Sequence, residues 1–265
     1  MARSDRGLRP VARQIVRTGA LLGLTLAVVP PFVAHMRVTT RSAQEREVLR
    51  DRWLGAWARG LLRVFAIEVV VDGVVPPPAT LGGPGRVIVA NHRSAIDIGV
   101  LLSIFGGTMV SRADLAGWPV IGAGARAAGL VFVDRAVAQS GASTIRVVQR
   151  RLAEGRTITI FPEGTTYDGD EVRPFKPGAF VAALGARAEV LPVALAYPAA
   201  SSAAFVDETF PAHLGRIARG AGTRLVVSIG APFVPERGEG SAAAAARAQA
   251  DVQALVARAR ALAGP

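Results

Sequence analysis

Residues 86–105 read RVIVANHRSAIDIGVLLSIF. An apolar run at 87–90 leads through the polar turn 91–97 into a second apolar run at 98–105, and a helix is predicted over 95–105. This order predicts a strand, a turn and a helix, and functional side chains are often found in such turns. Two side chains suit proton transfer, because His92 is a base near neutral pH and Asp97 follows it by about one helical turn.

The spacing of His92 and Asp97 has two interpretations. Asp97 can hold the imidazole of His92 in one tautomer, which leaves the base free to act on a substrate hydroxyl. Alternatively, Ser94 caps the helix and Asp97 completes a capping box, with no part in catalysis. The spacing alone leaves both interpretations open.

Strand-like and helix-like patterns alternate along the rest of the chain. Strands are predicted at 67–72, 86–90, 108–111, 130–134, 157–161, 189–196 and 224–230, and helices at 42–66, 95–105, 118–127, 140–154, 178–186 and 242–262. This alternation predicts an α/β fold. We divide the chain into amino-terminal helices at 1–66, a main domain at 67–238 and a carboxyl-terminal helix at 239–265.

The composition excludes several classes of site. The 265 residues include no cysteine, which excludes thiolate nucleophiles, disulfides and iron–sulfur clusters. Three histidines are too few to suggest a His-rich metal site, and we predict no metal. The only lysine, Lys176, precedes proline, so no phosphate-binding P-loop is present. A net charge of +11 suits nucleic acid or an anionic membrane, but the chain lacks the interleaved basic and aromatic residues of RNA-binding strands, and we predict no nucleic acid partner.

The amino terminus favours the membrane. Five arginines precede residue 18, and Gly19–Ala34 then carries no charge. Pro30 and Pro31 are expected to break this helix, and sixteen residues reach only about 24 Å, less than a bilayer core. We therefore expect a helix that lies in one leaflet, with a spanning helix or a soluble core helix as alternatives. The next helix, 42–66, begins at a Ser42–Glu45 capping box, and its tryptophans pack either on the main domain or in the membrane interface.

Three further segments lie at predicted strands. They are Phe161-Pro-Glu-Gly-Thr-Thr166, Gly129–Arg135, which ends a strand on an arginine that can bind phosphate, and Val190-Leu-Pro-Val193. Each also has an ordinary interpretation: a simple turn, a surface pair of Asp134 with Arg135, and an edge strand or bulge at Pro192.

Taken together and in this order, these segments resemble the glycerolipid acyltransferase family, most closely the lysophosphatidic acid acyltransferases. The family's Asn-His-x4-Asp corresponds to 91–97, its Gly-x-x-Phe-x-x-Arg to 129–135, its Phe-Pro-Glu-Gly-Thr to 161–165 with Pro-Phe-Lys at 174–176, and its Pro-Val pair to 192–193. The resemblance covers roughly residues 65–235, and the ordered set is specific. It therefore favours the catalytic interpretation of His92 and Asp97.

The resemblance implies a mixed β-sheet flanked by helices, with a membrane-associating helical hairpin at the amino terminus. It implies that His92 is the base and that Asp97 orients it. The acyl donor would be acyl-CoA or acyl-carrier protein, the acceptor a lysolipid, and no cofactor would be needed. We expect the enzyme at the cytoplasmic face of the membrane. The residues expected to hold the acceptor are Arg135, Glu163, Gly164, Thr165, Thr166 and Lys176.

One position departs from the family pattern. Members that handle glycerophosphate usually have arginine after Glu-Gly-Thr, and this chain has Thr166. Together with Asp168-Gly169, the run is similar to the lyso-ornithine-lipid acyltransferase branch. The expected acceptor is 1-acyl-glycerol-3-phosphate, and a lyso-ornithine lipid or another non-phosphate lysolipid is the alternative. A phospholipid-remodelling transacylase and a non-catalytic membrane-binding module also remain open.

Overall fold

The computed structural model describes residues 5–38, 42–117, 121–134, 138–236 and 238–264. The helices are α1 Asp5–Val38, α2 Ala43–Val64, α3 Ile96–Phe105, α4 Ile121–Ala127, α5 Ala138–Ala153, α6 Gly178–Ala186, α7 Phe210–Arg219 and α8 Ser241–Ala263, with a 3₁₀ helix at Ala113–Gly117. The strands are β1 Ile67–Asp72, β2 Arg86–Ala90, β3 Thr108–Arg112, β4 Val131–Val133, β5 Thr157–Ile160, β6 Glu189–Ala196 and β7 Thr223–Ile229.

The seven strands form one sheet in the order β1-β7-β6-β2-β5-β3-β4. Neighbouring strands are parallel except β6 and β7, which are antiparallel. The sheet is therefore mixed, as the resemblance implied, and helices cover both of its faces. The predicted fold class is confirmed.

Both faces of the sheet are buried. On β2, Val87 and Val89 pack into a core with α5, α6 and α8, while Ile88 packs into a second core with α2, α3 and α7. This explains why β2 is an unbroken apolar run rather than an alternating one. Helix α8, which we set apart at 239–265, contributes Ala248 and Val252 to the first of these cores.

Of the two ordinary interpretations of Pro192, an edge strand or a bulge, the edge strand is wrong. Strand β6 pairs with β2 on one side and with β7 on the other. The β6–β7 ladder begins at Val193, and the carbonyl of Pro192 accepts from the amide of Gly230 at 2.9 Å. The proline therefore lies just before the first paired residue of the β6–β7 ladder. Its missing amide hydrogen does not interrupt the pairs from Val193 to Ala196.

The prediction that Pro30 and Pro31 break the first helix is also wrong. Helix α1 continues through both prolines to Val38. Its neighbours stabilise this part, because Phe32 is buried with its ring 6.2 Å from that of Trp53, and Val29 packs over Gly124. Tertiary packing here outweighs the cost of the lost helical hydrogen bonds.

Helix α1 lies along the surface of the domain. Near its start, Arg17 donates to the carbonyl of Gly220 at the end of α7, at 2.8 Å. In its middle, Thr25 accepts from the indole nitrogen of Trp57 on α2 at 3.4 Å. The part Arg9–Val38 is long and apolar enough to cross a membrane by length and composition, and most of its outer surface is exposed. We name the apolar row Ile15, Leu22 and Leu26 the α1 ridge; these side chains are 57–68% exposed.

Candidate active site

The site forms where three neighbouring parallel strands end. β2 lies between β5 and β6, and the three strands run in the same direction. Their carboxyl ends therefore meet at one edge of the sheet, which is the usual position of sites in such folds. The segments that follow them are 91–95, 161–166 and the stretch beginning at Tyr197.

Asn91 fixes the direction in which the chain leaves β2. Its side-chain amide donates to the carbonyl of Leu195 at 2.9 Å and its side-chain oxygen accepts from the amide of Leu195 at 2.8 Å. The buried side chain thus continues the β2–β6 pairing by one step and leaves none of its polar groups without a partner.

The structure brings His92 and Asp97 into contact. Nδ1 of His92 lies 2.9 Å from Oδ2 of Asp97, whose side chain is completely buried. A carboxylate accepts from Nδ1–H, so Nε2 is the unprotonated, basic nitrogen. The imidazole also stacks on Phe161, with ring centroids 3.8 Å apart and planes inclined by 9°. Two contacts therefore fix the ring, and 14% of its side chain reaches solvent.

Asp97 also orders the start of α3. Its Oδ2 accepts from the backbone amides of Arg93 and Ser94, at 2.7 and 2.8 Å. The capping residue of α3 is Ala95, and the Ser94 hydroxyl accepts from the amide of Ile96 rather than from that of Asp97. The predicted capping box is thus only half formed, and the same carboxylate contacts the imidazole.

Glu163 forms a buried ion pair with Arg93. The Nη1 of Arg93 lies 3.0 Å from Oε2 of Glu163, and their side chains are 5% and 0% exposed. Glu163 also accepts from the amides of His92, at 2.6 Å, and Arg173, at 2.9 Å. Its carboxylate is thus taken up by protein donors, whereas the sequence predicted that it holds the acceptor. The pair joins the 161–166 turn to the His92 turn.

Lys176 lies over the turn at Gly164. Gly164 has a φ of +82°, and a Cβ added there would lie 2.5 Å from Nζ of Lys176. Lys176 and Thr165 are both exposed. The structure therefore brings the predicted residues 164, 165 and 176 together at the surface, beside the strand end that carries Phe161.

The remaining predicted acceptor residues are Thr166 and Arg135. The hydroxyl of Thr166 donates to the backbone carbonyl of Phe205, so this half-buried side chain joins its turn to the loop before α7. Arg135 lies outside the described residues.

Sequence reasoning missed three residues that contact this site. Arg93 occupies an unspecified position of the motif, although a basic residue between two apolar runs was a signal. Tyr197 directly follows β6, and its hydroxyl donates to Oδ1 of Asp97 at 2.6 Å. His213 lies on α7, a helix that we did not predict although Thr209 and Pro211 are typical of a helix start.

The arrangement suits removal of a proton from a bound hydroxyl. A buried carboxylate orients the imidazole and can stabilise the imidazolium that forms, and Nε2 is on the side of the ring away from Asp97. No group of three or more potential metal ligands occurs among the residues that the structure describes.

Replacing Glu163 tests whether its carboxylate stabilises the fold through the ion pair with Arg93. Glu163→Gln leaves Arg93 buried without an anion, so we expect the free energy of unfolding to fall by about 3–5 kcal/mol in urea denaturation. Glu171→Gln is the control, because that side chain is 71% exposed and its surface pair with Arg173 contributes at most about 1 kcal/mol. Wild-type stability with a raised KM for the acceptor would instead support the headgroup contact.

The comparisons with known proteins agree with this geometry. An acyltransferase family model matches residues 66–196. The lyso-ornithine lipid O-acyltransferase of Pseudomonas aeruginosa is 33% identical over 91% of this chain and 92% of its own. The 1-acyl-sn-glycerol-3-phosphate acyltransferase of Neisseria gonorrhoeae is 31% identical over 56% of each chain. The crystal structure of the 1-acyl-sn-glycerophosphate acyltransferase PlsC from Thermotoga maritima has the same fold, with a TM-score of 0.76 and 18% identity over 96% of this chain and 97% of that chain. The chain therefore belongs to the acyltransferase family.

Proposed function

We propose that this enzyme transfers a fatty acyl group from a thioester, acyl-CoA or acyl-carrier protein, to the free hydroxyl of a lysolipid. The observation that carries the proposal is the contact between His92 and the buried Asp97, in a chain of the acyltransferase family. Two relatives are named as acyltransferases of lysolipids, which supports a lysolipid as the acceptor.

The reaction follows from the geometry of the dyad. Nε2 of His92 takes the proton of the lysolipid hydroxyl as the oxygen attacks the thioester carbonyl. Asp97 holds Nδ1 and stabilises the imidazolium. Collapse of the intermediate breaks the carbon–sulfur bond, and His92 returns the proton to the departing thiolate. A thioester is already activated, so the proposed step uses no ATP, metal or other cofactor.

The proposed acceptor is 1-acyl-glycerol-3-phosphate, and the product is then phosphatidic acid. The exposed ammonium of Lys176 over the Gly164 turn supports an anionic headgroup. A lyso-ornithine lipid is the second candidate, because Thr166 stands where a cation would bind phosphate and its hydroxyl is held by Phe205. Incubation of the enzyme with acyl-CoA and each lysolipid, followed by mass spectrometry, identifies the acceptor. Acyl transfer that needs a phospholipid donor instead of a thioester would indicate a remodelling transacylase.

We also propose that α1 lies in one leaflet at the cytoplasmic face of the membrane. The helix is tied to α7 near one end and to α2 near the other, where the indole nitrogen of Trp53 lies 3.4 Å from Nδ1 of His35. A helix held against the domain at two separate points, Arg17 and His35, has its exposed ridge on one side, which suits insertion into an interface.

Removing the imidazole tests the mechanism. We expect His92→Ala to lower kcat at least about 100-fold, because the hydroxyl loses its general base, while the melting temperature stays close to that of the wild type. His35→Gln is the matched control, since this histidine contacts Trp53 of α2 and not the site. A folded His92→Ala protein with near-wild-type kcat would contradict the mechanism.

Removing the ammonium tests the acceptor. Lys176→Met is expected to lower kcat/KM for 1-acyl-glycerol-3-phosphate by about 10-fold or more, because a charge-assisted contact to phosphate is lost. Lys176→Arg keeps the charge and should retain most of the activity. If the ratio of kcat/KM for lysophosphatidate and lyso-ornithine lipid does not change in Lys176→Met, Lys176 does not bind the phosphate.

Changing the α1 ridge tests the membrane contact without disturbing the core. The triple variant Ile15→Ser, Leu22→Ser, Leu26→Ser should reduce binding to anionic liposomes by more than about 10-fold in sedimentation, because each apolar side chain contributes about 1.5–3 kcal/mol when buried. The matched control replaces three exposed valines elsewhere, Val74, Val181 and Val234, with serine. Equal losses in both variants would contradict the placement of α1. Deleting the helix is a poorer test, because it would also uncover the core around Phe32.

A further inference from the structure

Both oxygens of the Asp97 carboxylate have donors. Oδ2 faces Nδ1 of His92, and Oδ1 accepts from the hydroxyl of Tyr197 at 2.6 Å. Tyr197 is buried at the end of β6, an element of the central sheet. Because the donors on the two oxygens come from different elements, the carboxylate cannot rotate without losing one of them. The tyrosine therefore helps to fix the rotation of the carboxylate, together with the amides of Arg93 and Ser94, which donate to Oδ2.

A second histidine supports the turn from the opposite side. His213 on α7 has no exposed surface, and its Nδ1 lies 2.9 Å from Oε1 of Glu208. Its Nε2 lies 3.1 Å from the hydroxyl of Ser94 and accepts from the amide of Ala95 at 3.4 Å. A carboxylate on Nδ1 favours the tautomer whose Nε2 accepts, which matches these two donors. Helix α7 thus holds the turn that carries His92.

The protonation states of both residues suit these contacts. Burial, and then the charge of Asp97, raises the pKa of Tyr197 well above its ordinary value, so the phenol remains a donor. Burial lowers the pKa of His213, which favours the neutral ring that Nε2 needs in order to accept. The charged groups that face this ring are Glu208, Arg216 and Asp97; the two carboxylates raise its pKa and Arg216 lowers it.

We propose that Tyr197 and His213 are positioning residues for acyl transfer: Tyr197 fixes the rotation of the Asp97 carboxylate, and His213 fixes the Ser94 turn, so that Nε2 of His92 keeps its direction. This inference rests on the proposed function of the dyad. Neither residue touches the reacting atoms, and each acts through a group that holds His92.

Tyr197→Phe removes one hydroxyl and keeps the ring. We expect kcat to fall about 10-fold with both KM values unchanged, because Oδ1 loses its phenol donor and the carboxylate is then held less firmly, through the donors on Oδ2. The acidic limb of the kcat/KM profile should also move to higher pH by about half a unit or more. The shift is expected because the phenol no longer offsets part of the Asp97 charge. The carboxylate then stabilises the protonated imidazole more strongly. Tyr167→Phe is the matched control, as it makes the same change in the other tyrosine of the chain.

Two substitutions of His213 separate its hydrogen bonds from its volume. His213→Leu fills the space without an acceptor, and we expect kcat to fall about 10-fold. His213→Gln supplies a neutral donor and acceptor and should restore most of the lost activity. A purely structural role predicts instead that both variants lose melting temperature while kcat per folded molecule stays unchanged.

The outcomes distinguish this inference from the proposed function. A wild-type protein with no acyl transfer to any lysolipid would overturn the proposed function. An active wild type, with unchanged kcat and an unchanged pH profile in folded Tyr197→Phe, would overturn the positioning role of Tyr197 alone. If Tyr197→Phe does not fold, the His213 pair decides: rescue by glutamine supports the network, and equal kcat in the leucine and glutamine variants contradicts it.

Discussion

The buried ion pair of Arg93 and Glu163 holds together the two turns that form the candidate active site. Removing two charges from water is costly, and the cost is offset only when every remaining donor and acceptor has a partner. Here the guanidinium also donates to three backbone carbonyls, those of His92, Gly169 and Glu171. The carboxylate accepts from two backbone amides in addition. These contacts join the 91–95 turn, the 161–166 turn and the 169–173 segment through one pair of side chains.

The turns fix the position of Asp97 relative to His92. Asp97 is completely buried, and its carboxylate accepts from two backbone amides, an imidazole and a phenol. These donors give both oxygens of the buried carboxylate hydrogen-bond partners. When His92 takes up a proton, the anion that stabilises the new charge is already in position, and no solvent has to reorganise. The parallel order of β5, β2 and β6 makes this possible, because it brings three strand ends to one edge.

The sequence predicted those parts of the site that depend on local order along the chain. Each of the seven predicted strands begins and ends within about one residue of the observed strand. The prediction succeeds because a buried sheet produces continuous apolar runs. The contact of His92 with Asp97 also followed from spacing within one turn. Long-range partners could not be predicted, because nothing in the sequence shows that Tyr197 reaches Asp97 across 100 residues. The same limit explains α1, where contacts with α2 and α4 outweigh the two prolines that suggested a break.

Helix α7, absent from the sequence-based prediction, connects α1 to the turn that carries His92. On one side, the carbonyl of Gly220 at its end accepts from Arg17 of α1. On the other side, His213 contacts the hydroxyl of Ser94. This short helix therefore links the turn to α1, in addition to the packing of α1 on α2. In the proposed placement of α1, a lysolipid acceptor has its tail in the bilayer and its hydroxyl at the surface, so the height of His92 above the bilayer determines which hydroxyl the base can reach. In the proposed placement of α1, the enzyme sets this height through packed helices rather than through a flexible tether.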